Sequence, residues 1–212
     1  MAHDDFFGFK GITGPCKTYT SSKRGVLSVL SSIYDPLGLV SPFVLKAKII
    51  FQSIWQLGVD WDEPLPESLA EEFQNWVSSS RSLSKIRISR AIFSDVPWRT
   101  VTQSLELHGF GDASLKGYGA CVYARINTNH GYKVNLVAAR CRVAPLKQVT
   151  LPRLELLGAL VCAHLVDYIK MALHLSNNTK VYCYIDSQVT LAWIKGDPGK
   201  LQTFVGNRVS EI

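Results

Sequence analysis

Hydrophobic positions recur at helical spacing in three stretches of the first 80 residues. The first follows the N-capping residues Thr20 to Lys23 and ends at Asp35-Pro36-Leu37-Gly38, a combination that terminates helices. The second begins at Pro42, a residue favoured in a first helical turn, and runs to about Leu57. The third runs from about Glu67 to Ser79. None of the three carries a cluster of catalytic residue types, so the pattern predicts a small helical region with a packing role.

Near Leu83 the pattern changes from helical spacing to alternation, which is typical of extended chain, and residues 86–93 continue it. Three strand-like runs follow, separated by residues that favour chain reversal: Ser104 to Phe110, Gly117 to Arg125 and Lys133 to Val143. The remaining predicted elements are a long apolar helix from Pro152 to about His174, a strand from Lys180 to Ile185, a short helix through Trp193 and an amphipathic segment from Leu201 to Ile212. This order predicts a mixed α/β sheet.

The composition adds constraints on location and partners. A hydrophobic content of 47% can fill a core, and no apolar stretch offers the roughly 20 uninterrupted apolar residues that cross a bilayer. The N-terminus lacks the basic start and apolar run of a secretory signal. We therefore expect an intracellular protein, cytoplasmic or nuclear, without a membrane partner. The net charge of +6 favours a polyanionic partner such as nucleic acid, although charge alone is a weak signal.

The five cysteines are scattered along the chain with no Cys-x-x-Cys pair. An odd number in a chain of this size does not predict a disulfide framework. We therefore expect reduced, mostly buried thiols at Cys16, Cys121, Cys141, Cys162 and Cys183.

Three acidic residues stand out because of their positions in the predicted order of elements. Asp112 is expected just past the end of the first long strand, Asp186 at the end of the fourth, and Glu155 one turn into the helix between them. Sites in α/β sheets form outside the carboxyl ends of neighbouring strands. If the fourth strand pairs in parallel with the first, the two aspartates become neighbours, and the long helix can bring Glu155 against them.

Carboxylates gathered in this way predict a metal site, because they repel one another unless a cation neutralises them. Oxygen donors without a thiolate or imidazole partner favour Mg²⁺ or Mn²⁺ over Zn²⁺. Two such ions about 4 Å apart can promote in-line hydrolysis of a phosphodiester. On spacing alone, the alternative is that Asp112 is a turn residue, Asp186 a helix N-cap and Glu155 an ordinary charge in a first helical turn.

Three short motifs carry these carboxylates: Gly111-Asp112-Ala113-Ser114, Arg153-Leu154-Glu155-Leu156-Leu157-Gly158-Ala159 and Ile185-Asp186-Ser187-Gln188. In this order and context they resemble ribonuclease H. The resemblance implies a ribonuclease H-like mixed sheet with flanking helices. It also implies that Asp112, Glu155 and Asp186 are catalytic residues and metal ligands, with Mg²⁺ or Mn²⁺ as the cofactor.

Longer segments look like the Pol polyprotein of BEL/Pao-type LTR retrotransposons, whose sequences often carry the label Pao retrotransposon peptidase: Lys23 to Ser28, Ile33 to Pro42, Leu57 to Pro66, Ala144 to Leu146, Leu151 to Leu156 and Phe204 to Ile212. This resemblance covers nearly the whole chain. It implies a thumb- or connection-like helical region at 1–80, a linker at 81–103 and a ribonuclease H-like domain at 104–212. The domain is expected to be truncated at its C-terminal end, without the fourth acidic ligand of a complete site.

The function implied by the resemblance is divalent-metal-dependent cleavage of the RNA strand of RNA·DNA hybrids. Nucleic acid and the remainder of a reverse transcriptase polyprotein are the implied partners. The alternative is a catalytically inactive remnant that only folds or binds nucleic acid. An aspartic peptidase is not supported, because no Asp-Thr-Gly or Asp-Ser-Gly triplet occurs. A polymerase is not supported either, because Tyr184-Ile185-Asp186-Ser187 lacks paired aspartates.

Other polar residues receive less specific predictions. His108 is interpreted as structural, and Ser187 as the N-cap of the helix that follows Asp186. Arg153 could contact a phosphate or form a surface ion pair. Lys195, Lys200 and Arg208 could form either a basic face toward a hybrid duplex or a solvated helix face.

Overall fold

The computed structural model of the protein describes residues 5–12 and 21–212. The chain divides into two compact units, Met1–Pro36 with Val40–Ala91 and Leu37–Leu39 with Ile92–Ile212. Cys16, predicted to be a reduced thiol, and Thr20, predicted to help cap the first helix, lie outside the described residues. In the described part of the chain, no helix is both long and apolar enough to cross a membrane.

The first unit is built from three helices, α1 (Lys23–Ser31), α2 (Ser41–Gln56) and α3 (Glu67–Ser79). The Ser22 hydroxyl caps α1 by accepting a hydrogen bond from the Gly25 amide at 3.2 Å. Pro42 lies in the first turn of α2, as its fixed φ favours. The three predicted helices are confirmed.

The apolar faces of these helices form one core. Phe73 and Trp76 of α3 are each 1% exposed. The Trp76 ring stacks on Phe43 of α2 with 4.7 Å between ring centroids, and its indole N–H donates to the Phe43 carbonyl oxygen at 2.9 Å. Because its one polar group is satisfied, Trp76 can be buried without an unpaired donor.

A two-stranded antiparallel sheet completes the first unit. Its strands are β1 (Phe6–Gly8) and β2 (Arg87–Ser89), and a 3₁₀ helix (Ser80–Lys85) joins α3 to β2. The extended chain predicted for residues 86–93 is therefore shorter than expected, because the pairing with β1 covers only three residues.

A four-stranded mixed sheet forms the centre of the second unit. Its strands are β3 (Glu106–Ser114), β4 (Gly117–Thr128), β5 (Gly131–Val143) and β6 (Lys180–Tyr184). They lie in the order β5-β4-β3-β6, with β3 antiparallel to β4, β4 antiparallel to β5, and β3 parallel to β6. The predicted α/β class is confirmed, and the parallel pairing of the fourth strand with the first, on which the meeting of the two aspartates was conditional, is present.

Helices flank this sheet: α4 (Trp98–Ser104), α5 (Leu151–Ala172), α6 (Gln188–Lys195) and α7 (Thr203–Val209). The sequence pattern did not predict α4, which begins after Pro97 and buries Val101 in the core. Its presence delays the start of the following strand from the predicted Ser104 to Glu106.

The long helix α5 covers one face of the sheet. A side-chain carbon at Gly111 would lie 2.9 Å from the carbonyl oxygen of Gly158, and one at Gly158 would lie 2.8 Å from the carbonyl oxygen of Asp112. Because both positions are glycine, the backbone of α5 lies directly against β3. The core at this face contains Leu107, Val122, Ala124, Ile126, Leu154, Leu165, Val166 and Ile169.

Candidate active site

Asp112 lies inside β3, opposite Gly119 of β4. The prediction that it lies in a turn just past the strand is wrong, because β3 and β4 remain paired as far as Ser114 and Gly117. The Asp112 side chain is exposed, and its Oδ1 accepts a hydrogen bond from the Ala113 amide at 2.7 Å. The carboxylate therefore faces solvent with one oxygen engaged locally.

Asp186 lies two residues after the end of β6, and its side chain is exposed. The parallel register pairs Phe110 with Tyr184, so Asp112 and Asp186 each lie two residues beyond the same pair. Asp186 is not the N-cap of α6. Ser187 has that role, as predicted, with its hydroxyl accepting from the Thr190 amide at 3.2 Å.

Glu155 lies in the first turns of α5, one turn before the glycine contact with β3. Its Oε2 is buried and has no hydrogen-bond partner among the residues that the structure describes. Buried polar oxygens nearly always have a partner, because losing water without a replacement costs free energy. An unsatisfied carboxylate oxygen at this place is therefore suited to binding a cation or a hydrogen-bond donor.

The strand register and the glycine contact bring Asp112, Asp186 and Glu155 to the same end of the sheet. Their oxygen donors match the preferences of Mg²⁺ and Mn²⁺. Among the residues that the structure describes, however, no three acidic, histidine or cysteine side chains are grouped closely enough to hold a metal ion.

A cleft of about 750 Å³ opens beside the first turn of α5, between that helix, α6 and α7. Arg153, Trp193, Lys200 and Gln202 contribute to its lining. The Arg153 guanidinium donates to the Gln202 side-chain oxygen at 2.9 Å. The surface ion pair expected for Arg153 is not formed with any of the described residues, whereas a phosphate contact stays a prediction. Trp193, on the other side of the cleft, is half-buried and packs against the cluster of Leu156, Val205 and Val209.

On the sheet face away from α5, Glu106 is enclosed by partners. The Arg125 Nη2 lies 2.5 Å from the Glu106 Oε2, and the His108 Nε2 lies 3.4 Å from the same oxygen. Although burial opposes it, hydrogen bonds from Arg125 and His108 lower the pKa of Glu106. The His108 Nδ1 is 3.1 Å from the Tyr184 hydroxyl, which fits the structural role predicted for His108.

Aromatic rings extend this arrangement along β3 and β6. Tyr184 stacks on Phe110 with 4.8 Å between centroids, and His108 stacks on Tyr182 at 5.0 Å. This row of rings was not predicted from the sequence. The signal for it is the presence of ring side chains at alternating positions of both strands, which places them on one sheet face.

The four described cysteines form no disulfide. Cys162 is buried and Cys121 and Cys141 are half-buried, as expected for mostly buried thiols, but Cys183 is exposed. The prediction of burial is wrong for Cys183 because β6 is the outermost strand on its side of the described sheet.

Comparison with known proteins identifies one family. The profile described as Pao retrotransposon-like RNaseH-like domain matches residues 22–187. No curated protein matches the chain.

Two solved structures of a foamy viral protease-reverse transcriptase are similar over 94% of this chain, each at 17% sequence identity. One is in complex with an RNA/DNA hybrid (TM-score 0.46) and the other with double-stranded DNA (TM-score 0.47). The chain spans only 24% and 31% of the length of those proteins. The family profile covers most of the sequence, and the chain belongs to the Pao retrotransposon-like RNaseH-like domain family.

Proposed function

We propose that the second unit is a divalent-metal-dependent endonuclease that cleaves the RNA strand of RNA·DNA hybrids as part of a retrotransposon Pol polyprotein. One observation carries this proposal, namely the buried and unpartnered Oε2 of Glu155, one helical turn from the contact between α5 and Asp112. A buried acceptor without a partner costs about 1–3 kcal/mol, which a bound cation would offset.

Asp112, Glu155 and Asp186 would hold the metal, and Mg²⁺ or Mn²⁺ is the choice that suits carboxylate oxygens. Bound divalent ions would supply charge neutralisation at the phosphodiester and an activated water. The chain itself supplies the positions of the three carboxylates, through the parallel register of β3 and β6 and the glycine contact beneath α5.

The cleft beside α5 supplies cations for the nucleic-acid backbone. Arg153 lies two residues before Glu155, and Lys200 lines the same cleft. Phosphate contacts of this kind fix the register of a duplex without reading its sequence. Discrimination in favour of a hybrid would then depend on minor-groove shape and 2′-hydroxyl groups. For the first unit, a thumb- or connection-like role in the polyprotein rests on sequence resemblance alone.

A second candidate function is nucleic-acid binding without cleavage. The observation in its favour is that the described residues contain no ready group of three metal-ligating side chains. Mg²⁺ holds its own water molecules strongly and needs several well-placed anionic oxygens, so an incomplete set would bind it weakly.

The test measures hybrid binding and hybrid cleavage separately on the full chain. A hybrid with a fluorescent label on the RNA strand is titrated with Mg²⁺ and with Mn²⁺, and the same titrations are run on Asp112→Asn. The matched control is Asp60→Asn, an exposed aspartate of the first unit. We expect wild type and control to cleave and Asp112→Asn to lose at least about 100-fold in rate.

Binding without cleavage by the wild-type chain at every metal concentration would replace the nuclease proposal with the binding-only function. Cleavage by Asp112→Asn at the wild-type rate would show that the carboxylates at this sheet end are not the site.

A further inference from the structure

Two thiols from different elements meet next to Gly109. Cys162 lies on α5, and Cys183 lies on β6 directly opposite Gly109 in the parallel register. A side-chain carbon at Gly109 would lie 2.6 Å from the Cys162 sulfur and 3.6 Å from the Cys183 sulfur. The two sulfurs therefore share the space that the missing side chain of Gly109 leaves open.

The two thiols differ in their access to solvent. Cys162 is 1% exposed, whereas Cys183 is exposed because β6 is the outermost strand on its side of the described sheet. A pair of this kind places an accessible thiol, which can meet a reagent from solution, beside a buried thiol that can react with it afterwards.

Hydrogen bonding between the pair favours reaction at Cys183. A hydrogen bond from Cys162 lowers the pKa of Cys183 to about 7, although partial desolvation of the thiol beside its partner and the charge of Asp167 oppose the shift. The same hydrogen bond, together with burial, raises the pKa of Cys162. Near neutral pH a large share of Cys183 is therefore thiolate, the form that attacks disulfides.

We propose that Cys162 and Cys183 form a reversible disulfide, with Cys183 as the attacking thiol and a small-molecule disulfide such as oxidised glutathione as the oxidant. The inference is independent of the proposed nuclease function.

The reaction proceeds by two thiol–disulfide exchanges. The Cys183 thiolate attacks one sulfur of oxidised glutathione, forms a mixed disulfide and releases one glutathione thiolate. That thiolate takes up the proton of Cys162, and the Cys162 sulfur then attacks the sulfur of Cys183. This second step forms the protein disulfide and expels the second glutathione, which takes up the proton left by Cys183. Two protein thiols are oxidised, and one glutathione disulfide is reduced to two thiols.

Cys121 and Cys141 provide a comparison within the same sheet. They lie on the adjacent strands β4 and β5, where Cys141 is opposite Gly119 and Cys121 is opposite Ala139. Burial, with a smaller contribution from Cys141, raises the pKa of Cys121. Cys121 is therefore mostly protonated at neutral pH, and we expect these two cysteines to stay reduced under conditions that oxidise Cys162 and Cys183.

A bond between Cys162 and Cys183 would join α5 to β6 covalently. These elements carry Glu155 and lead into Asp186, respectively. Cross-linking residues 162 and 183 closes a loop in the unfolded chain and should raise the melting temperature.

The experiment equilibrates the reduced 212-residue chain in glutathione buffers of increasing oxidised fraction. Remaining thiols are then alkylated, and digested peptides are analysed by mass spectrometry. We expect a peptide pair joined through Cys162 and Cys183, reversal on addition of dithiothreitol and a higher melting temperature in the oxidised sample. Cys121→Ser and Cys141→Ser, the matched controls, should form the same linked pair.

Variants of the pair separate its two roles. Cys162→Ser should accumulate the mixed disulfide of Cys183 with glutathione, because no second thiol resolves it, whereas Cys183→Ser should form neither product. Gly109→Ala should lower the linked fraction, since the added methyl group occupies the place of the Cys162 sulfur. If Gly109→Ala fails to fold, the Cys162→Ser result tests the same assignment.

Absence of the linked peptide at every glutathione ratio would overturn the proposal. So would a linkage between other cysteines, or failure of Cys162→Ser to accumulate glutathione at Cys183.

Discussion

Two glutamates of the second unit are both half-buried, but their carboxylates lie in opposite environments. On the sheet face away from α5, Glu106 is 17% exposed and accepts hydrogen bonds from Arg125 while lying close to His108. At the sheet end beside α5, Glu155 has a buried oxygen that finds no partner in the described part of the chain. The charge of Glu106 is compensated by other protein groups, whereas one carboxylate oxygen of Glu155 remains available for an added cation.

This difference separates carboxylates that stabilise a fold from carboxylates that are available for chemistry. Removing a partnered charge leaves its partners unsatisfied and lowers stability. Removing an unpartnered charge relieves a desolvation penalty and leaves no partner behind. Glu106 and Glu155 should therefore respond to the same substitution, glutamate to glutamine, in opposite ways.

The largest expected effect is on the activity of Glu155→Gln. If the sheet end is a nuclease site, hybrid cleavage in Mg²⁺ should fall by at least about 100-fold, while thermal stability stays the same or rises. Cleavage of a labelled hybrid and a melting curve on the same preparation measure both quantities. Glu106→Gln is the matched control and should keep its cleavage rate per folded molecule. A large loss of stability in Glu155→Gln would show that the Glu155 carboxylate has a stabilising partner in the folded protein.

The next effect in size is the stability of Glu106→Gln. Loss of the charged hydrogen bonds from Arg125 should lower the free energy of unfolding by roughly 1–2 kcal/mol, less than for a fully buried pair because Arg125 is partly solvated. Urea unfolding of the variant and of wild type at neutral pH gives this difference. An unchanged unfolding midpoint would show that the hydrogen-bonded carboxylate of Glu106 does not stabilise the fold, and that it does not differ from Glu155 in this respect.

The sequence pattern predicted the helices of the first unit and the mixed sheet well because both signals are local. Helical spacing identified α1, α2 and α3, and alternation identified β3, β4 and β5 of the mixed sheet. The position of Asp112 was predicted wrongly because the length of a hairpin depends on pairing across two strands, which alternation within one strand does not reveal. The β1–β2 pair was missed for the same reason, since its strands lie about 80 residues apart.

The three candidate site residues were found through their motifs, but their surroundings were not. The unpartnered oxygen of Glu155 depends on which side chains reach the helix from other elements, and no spacing rule provides that. The meeting of Cys162 with Cys183 depends on the packing of α5 against Gly109. These features arise from tertiary packing and became visible only in the folded chain.

A smaller effect is expected in the cleft beside α5. The question there is whether the charged groups that are available to a ligand include Arg153 and Lys200 as well as Glu155. If Arg153 and Lys200 contact phosphates, replacing each with alanine should make the negative slope of log affinity against log salt shallower, by roughly 0.9 per lost contact if the hybrid behaves as B-form DNA does. Fluorescence anisotropy at several salt concentrations measures the slope. Lys46→Ala, which removes an exposed lysine of the first unit, is the control and should keep the wild-type slope. If all three variants kept the wild-type slope, the cleft would not contact the nucleic-acid backbone.

The smallest expected effect is the pH dependence of the contribution that Glu106 makes to the free energy of unfolding. Its pKa is lowered in the folded protein, against the effect of burial, by hydrogen bonds from Arg125 and His108 and by the charges of Arg125 and Lys180. A carboxylate with a lowered pKa stabilises the fold fully above its unfolded value of about 4.3, and the contribution is lost as the pH falls through that value toward the lower folded one. The difference in unfolding free energy between wild type and Glu106→Gln should therefore narrow between pH 6 and about pH 3.5. In an Arg125→Gln background most of this narrowing should disappear, because the group chiefly responsible for the lowered pKa is gone. A difference that stays constant across the range would mean that Glu106 stabilises the fold through packing and not through its charge.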